Sequence, residues 1–181
     1  MKPILAFAAF TCVLLSPLQA QSTPPADVTI TGESAGNDFG WRAAPAGDVN
    51  GDGVEDLIVG APSYDGIAGF AGRAYLFYGP FTGDINAADA DAIISAEAFG
   101  DSLGISVASA GDVNNDGVQD IIIGAPRFPL NGADTGRVYI FYGPVSGSMI
   151  ATEADVIIFG EQINDDLGVS VAPAGMSMVM A

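Results

Sequence analysis

The chain has 181 residues, with 22 acidic side chains against 5 basic ones, no histidine and one cysteine, for a net charge of −17 at pH 7. So few Lys and Arg exclude phosphate-tracking nucleic-acid binding, the acidity opposes docking to anionic membranes, and without imidazole Ser-His-Asp and Cys-His catalysis and most zinc enzymes are ruled out. Aliphatic and aromatic residues make up 49%, so an acidic disordered chain is excluded as well.

Residues 1–20 read as an export signal. Lys2 precedes an apolar run from Ile4 to Leu15, followed by Ser16, Pro17 and the small residue Ala20. That is a charged start, an h-region too short to span a bilayer, and a cleavage site after Ala20. The chain is expected to be secreted or at the cell surface, with no membrane span in its mature form. Cleavage would remove the only lysine, Lys2, and the only cysteine, Cys12, leaving no disulfide. Residues 21–25 read as a short linker.

From Ala26 onward the chain repeats. DVNGDGVEDLIVGAP starts at Asp48 and DVNNDGVQDIIIGAP at Asp112; GRAYLFYGP starts at Gly72 and GRVYIFYGP at Gly136, an offset of 64 residues in both cases. ADVTITGE, ADAIISAE and ADVIIFGE, from Ala26, Ala90 and Ala154, keep the same register. The units are therefore 26–89 and 90–153, with a third, 154–181, cut short. In the first unit, Val28–Thr31, Trp41–Ala46, Leu57–Ala61 and Ala74–Tyr78 read as strands, closed by Gly60-Ala61-Pro62 and Gly79-Pro80. Runs such as Val138-Tyr139-Ile140-Phe141-Tyr142 are apolar on both faces, so both faces must be covered.

These features predict an all-β fold of stacked four-stranded antiparallel β-propeller blades, in an incomplete ring of about two and a half blades. The first strand matches the last-strand motif of a unit, as though it completed a blade begun elsewhere in the ring.

The loop from Asp48 offers oxygen at regular intervals: Asp48, Asn50, Asp52, the carbonyl of Val54, and Asp56. Asp112, Asn114, Asp116, Val118 and Asp120 repeat the set. Alternate carboxyl and carboxamide groups on a sharply turning loop, with glycine at Gly53 and Gly117, suit the six to eight oxygen ligands of Ca2+. The loop starts like an EF-hand, but Val59 and Ile123 stand where the closing glutamate belongs, so a calcium loop within a β-hairpin is expected. A plain solvated turn is the alternative. Between the copies Gly51 becomes Asn115 and Glu55 becomes Gln119, while every oxygen donor is retained.

With Phe39-Gly40 and Leu103-Gly104 ahead of them, these motifs resemble FG-GAP repeats, the blades of the seven-bladed propeller of integrin α subunits and of many secreted bacterial proteins. The resemblance implies two calcium sites on the ten residues just named. It also implies a non-catalytic adhesion or binding scaffold, with an extracellular protein or glycan as partner. Two alternatives stand beside it: the propeller module of a larger secreted hydrolase of phospholipase-D type, and an acidic surface-layer component. Leu103 departs from the family's preferred Phe.

Gly104-Ile105-Ser106 faintly resembles a nucleophile elbow, but its final glycine is missing and there is no histidine to activate the serine. Arg73 and Arg137, each following a glycine, are expected to pair with a carboxylate of the neighbouring blade. Trp41 and the strand Tyr and Phe residues are expected in the core, and Asp165-Asp166 in a solvated loop. Partner specificity is expected on the loops 63–71 and 127–135. In the third unit the first loop aspartate is replaced by Met176, and Ser-Met-Val-Met-Ala follows. That break suggests a truncated or frame-shifted gene product, with a naturally short protein as the competing explanation.

Overall fold

A computed structural model describes residues 27–66, 71–130 and 133–173. The export signal, its cleavage site and the break at Met176 lie outside these residues. The strands are β1 (Ile30–Thr31), β2 (Arg42–Gly47), β3 (Asp56–Ala61), β4 (Arg73–Phe77), β5 (Ile85–Asn86), β6 (Ala92–Ser95), β7 (Ser106–Gly111), β8 (Asp120–Ala125), β9 (Pro129–Leu130), β10 (Ala133–Asp134), β11 (Arg137–Phe141), β12 (Gly147–Ile150) and β13 (Val156–Phe159). The only helices among the described residues are two single 3-10 turns, Ala87–Asp89 and Ala151–Glu153. The fold is all-β, as expected.

Two antiparallel blades follow one plan. The first has the order β2-β3-β4-β6 and the second β7-β8-β11-β13. The sheets cut the chain one strand later than the sequence repeat does. The fourth strand of the first blade, β6, comes from the head of the second repeat, and β13 comes from the head of the third. By the same count, β1 occupies the position of an outer strand in a blade preceding the first. Its pairing supports this: β5 adds to β1 in parallel, as β12 adds in parallel to β6 one repeat later. In both cases the segment after a blade's third strand clips onto the outer strand of the blade before it.

The continuous apolar strands are explained by the two faces they bury. Ile58, Ala74, Leu76 and Ile94 on one face of the first blade meet Val107, Ile121, Ile123, Tyr139 and Phe141 of the second in a single core. The alternate residues Val59, Tyr75 and Phe77 face the other way and are covered by Ile30, Phe39, Phe81 and Ile85. Phe39 stands edge-on to Tyr75, with ring centroids 5.4 Å apart. In each blade the first strand ends in a register shift, between Pro45 and Gly47 or between Ser109 and Gly111, and the chain then enters the acidic loop.

One expectation about the core is corrected. Trp41 is 60% exposed. Its amide donates to the carbonyl of Asp38 at 3.0 Å, which holds it in the turn after Phe39, at the rim beside Ser63 and Arg127 rather than between the sheets. The strand aromatics Tyr75, Phe77, Tyr139 and Phe141 are buried as expected.

Candidate metal-binding loops

The ten residues predicted as metal ligands fall in two equivalent hairpin loops, between β2 and β3 and between β7 and β8. The loops touch: the amide of Gln119 in the second donates to the carbonyl of Asp48 in the first at 3.1 Å.

Each loop is organised by its own acids. Asp48 Oδ1 accepts the amides of Gly51 at 2.8 Å and Asp52 at 3.0 Å, and its Oδ2 accepts Gly53 at 2.8 Å. Asn50 Oδ1 accepts the Asp52 amide, while Asn50 Nδ2 donates to Asp52 Oδ2, both at 2.9 Å. Asp52 Oδ1 accepts Val54 N at 2.8 Å. The second loop repeats all of these but the Gly51 bond, through Asp112, Asn114, Asp116, Gly117 and Val118. Glycine is needed at the sharp bend, where Gly53 and Gly117 have φ of 88° and 92°. Gly51 and Asn115, the position that varies, have φ of 77° and 62°; asparagine tolerates this left-handed region better than most residues.

The ninth loop residue behaves differently. Asp56 and Asp120 are buried, and each spends both oxygens on main-chain amides. Asp56 accepts Val49 N at 2.8 Å and Gly79 N at 3.0 Å; Asp120 accepts Val113 N at 2.7 Å and Gly143 N at 3.0 Å. They tie the start of the loop to the end of the third strand. Burial, above all, holds the Asp56 carboxyl above the usual carboxylate range; the Gly79 and Val49 amides oppose this, and the nearby Asp52 and Asp48 add to it. The Val54 and Val118 side chains pack over Gly79 and Gly143, leaving no room there for a β-carbon.

By chemistry the donor set suits a hard divalent cation, since each loop offers only oxygen and carries three carboxylates. Among the described residues no group of three acids is drawn together closely enough to cage an ion. Asp48, Asn50 and Asp52 instead hold the loop's amides. Asp56 and Asp120 brace the loop as it stands; because each carboxylate oxygen can accept more than one bond, they stay beside Asp48, Asn50, Asp52, the Val54 carbonyl and their counterparts as candidate ligands.

Further contacts recur at the 64-residue offset. Arg73 Nη1 donates to Glu33 Oε1 at 2.9 Å, and the Tyr75 hydroxyl to the same oxygen at 2.7 Å. Arg137 and Tyr139 engage Glu97 in the same way. Glu33 and Glu97 follow β1 and β6, the outer strands of preceding blades, so both arginines do pair with a neighbouring blade's carboxylate. The glutamate itself was not singled out from the sequence, although Glu33, Glu97 and Glu161 recur at one repeat position. Asp91 and Asp155, also overlooked, accept the amides of Tyr78 and Tyr142 at 2.7 and 2.8 Å. Ser106 is buried and donates to the Gly168 carbonyl at 2.7 Å, a structural role. Asp165 accepts the amides of Glu161 and Gln162, and both Asp165 and Asp166 are exposed.

Stacked four-stranded blades, each with an acidic hairpin loop and an arginine–glutamate tie to its neighbour, define a β-propeller repeat protein. The model of the FG-GAP repeat matches residues 39–77 and 103–141. The chain is 34% identical over 162 residues to integrin alpha-6 of Gallus gallus, covering 88% of this chain and 14% of that one. It is 35% identical over 135 residues to integrin alpha-3 of Mus musculus, covering 74% and 12%. It is also 35% identical over 141 residues to phosphatidylinositol-glycan-specific phospholipase D of Rattus norvegicus, covering 73% and 16%. The chain is an FG-GAP repeat protein of the integrin-α-like type. It spans about a seventh of the length of the curated relatives it matches. Among the described residues no helix is long and apolar enough to cross a membrane.

Proposed function

We propose that the chain is a secreted, calcium-binding propeller fragment that serves as a non-catalytic adhesion or binding scaffold. The observation behind this reading is the duplicated acidic loop, in which Asp48, Asn50 and Asp52, and Asp112, Asn114 and Asp116, keep the same oxygens and the same internal bonding in adjacent blades. A cation there would offset carboxylates crowded into one turn. Because it would bind the folded chain, it would stabilise that state by mass action. Calcium would stiffen the loops at one end of the blades, leaving the loops 63–71 and 127–135 for an extracellular protein or glycan.

Thermal unfolding in millimolar calcium and in chelator tests the metal claim. The midpoint is expected to rise with calcium and less with magnesium; equal midpoints in calcium and chelator would refute it.

The similarity to the rat phospholipase favours a second reading, a propeller module carried by a larger secreted hydrolase. Adjoining coding sequence for a domain with histidine-rich metal spacing would select it over the scaffold.

A further inference from the structure

Two junctions of one kind join successive blades, and they differ in the charge they bury. At the first, Arg73 bonds through two nitrogens: Nη1 donates to Glu33, and Nε to Ser95 Oγ at 3.0 Å. The buried turn residue is Asn37, which is neutral. At the second, Ser95 is replaced by Phe159, directly across the ladder from Arg137 as Ser95 is from Arg73. Arg137 Nε is consequently buried without an acceptor among the described residues. Asn37 is replaced by Asp101, 1% exposed. Its Oδ2 accepts the Ala98 amide at 2.9 Å, and its Oδ1 has no partner among the described residues.

The surroundings of Asp101 offer little relief. Glu97, just after β6, is a like charge. Arg137 on β11 already serves Glu97 and lies between the rings of Phe128 and Phe159, 3.3 and 4.6 Å from their centroids. The Tyr139 hydroxyl is committed to Glu97 at 2.6 Å. Arg127 contributes only its main-chain amide, to the Asp101 carbonyl at 3.3 Å, and is itself exposed. One guanidinium thus faces two carboxylates, one of them buried with a bare oxygen. A neutral acid would be cheaper to bury there and would gain a donor. Burial first, and then the Glu97 charge, push the Asp101 carboxyl up to about 6 from 3.8, with the Ala98 amide, Arg137 and the Glu97 amide acting in the opposite direction.

We propose that the junction between the two blades is a proton-linked latch, in which Asp101 takes a proton from solvent as the two blades dock. Mild acid tightens this junction and leaves the Asn37 junction unchanged. The sign follows from the folded chain's tighter hold on the proton. The contribution is complete below the ordinary aspartate range and is lost as pH rises through about 6.

The test is equilibrium unfolding of the full chain and of D101N and N37D from pH 4.5 to 7.5, at one fixed calcium concentration. The buried Asp56 and Asp120 are present in all three proteins and cancel in the comparison. D101N is expected to be the more stable protein at pH 7.5. Its advantage in the folding equilibrium, about a hundredfold at pH 7.5 for a two-unit shift, is expected to shrink to under about tenfold by pH 4.5. N37D is expected to acquire an added pH dependence of the wild-type sign. Parallel profiles for wild type and D101N, a D101N chain less stable than wild type or unfolded at pH 7.5, or an N37D loss independent of pH would each overturn the latch.

Discussion

Gly60 and Gly104 meet back to back across the two blades: a β-carbon on Gly60 would stand 1.8 Å from the Gly104 carbonyl oxygen. The contact recurs between Gly124 and Gly168, at 2.0 Å. The glycine near the end of a blade's second strand, Gly60 in β3 or Gly124 in β8, is thus the seat for the glycine after Leu103 or Leu167 at the start of the next. Inside each blade the same residues are bonded, with Gly40 N donating to Gly60 O at 3.1 Å and Gly104 N to Gly124 O at 3.0 Å. The two halves of the repeat signature are therefore one inter-blade contact read from both sides.

Gly60→Ala and Gly124→Ala are accordingly expected to force the backbones apart, costing at least about 3 kcal/mol. Gly83→Ala serves as the control. It has open space and φ of 69°, so strain alone should cost about 1 kcal/mol. Urea unfolding separates the two. Equal losses at Gly60 and Gly83 would mean the close approach does not govern packing.

Glu97 ties Arg137 and Tyr139 to the preceding blade from a largely buried position. Glu97→Ala removes the acceptor of the Arg137 guanidinium and of the buried Tyr139 hydroxyl, leaving Arg137 only the unbonded Asp101 carboxylate to face, and is expected to cost about 3 kcal/mol. Glu33→Ala is expected to cost somewhat less, because Arg73 keeps Ser95 as an acceptor. Calorimetry checks the order; the reverse order would show that Ser95 does not share the load.

Within the acidic loops, bracing and metal binding can be separated. Asp120→Ala removes the acceptor of the Val113 and Gly143 amides, and is expected to destabilise by about 3 kcal/mol with or without calcium. Asp116→Asn touches only exposed loop bonds and is expected to cost under about 1 kcal/mol in chelator. It is expected to remove a large part of the calcium-induced rise in midpoint. An undiminished calcium response in Asp116→Asn would take that residue out of the ligand set.

The repeats, the strands and the acidic loops were legible in the sequence because each is local and occurs twice at one spacing. Leu57–Ala61 and Ala74–Tyr78 differ from β3 and β4 by a single residue at their ends. What was not legible depends on contacts far apart along the chain. The parallel clip of β12 on β6 involves short segments with no strand signature of their own, and its pairing partner lies 55 residues away. Trp41 follows a motif whose Phe39 is in the core, yet the turn at Asp38 carries the indole out to the rim. Asp56 and Asp52 look alike in a list of oxygen donors; only the fold places Gly79 N beside one and not the other. For Arg73 the class of partner could be foreseen, but Glu33, 40 residues upstream, could not.

Tyr75 and Tyr139 extend the junction chemistry to alkaline pH. Both phenols are buried and donate to a carboxylate, so burial first, and then the bond to Glu33 or Glu97, raises their ionisation well above the ordinary tyrosine range. The unfolded chain would lose these protons near pH 10 while the folded chain keeps them. Their contribution to stability is therefore complete below about pH 10 and falls as pH climbs beyond it. Tyr139→Phe is expected to cost about 1.5 kcal/mol at neutral pH, for the lost bond to a charged acceptor, and to flatten the alkaline decline. Absorbance at the phenolate band and circular dichroism, followed together through an alkaline titration, provide the check. The last two of the five tyrosines should ionise together with the loss of sheet signal. Ionisation of all five in an intact fold would show that the junction phenols reach water without the blades parting.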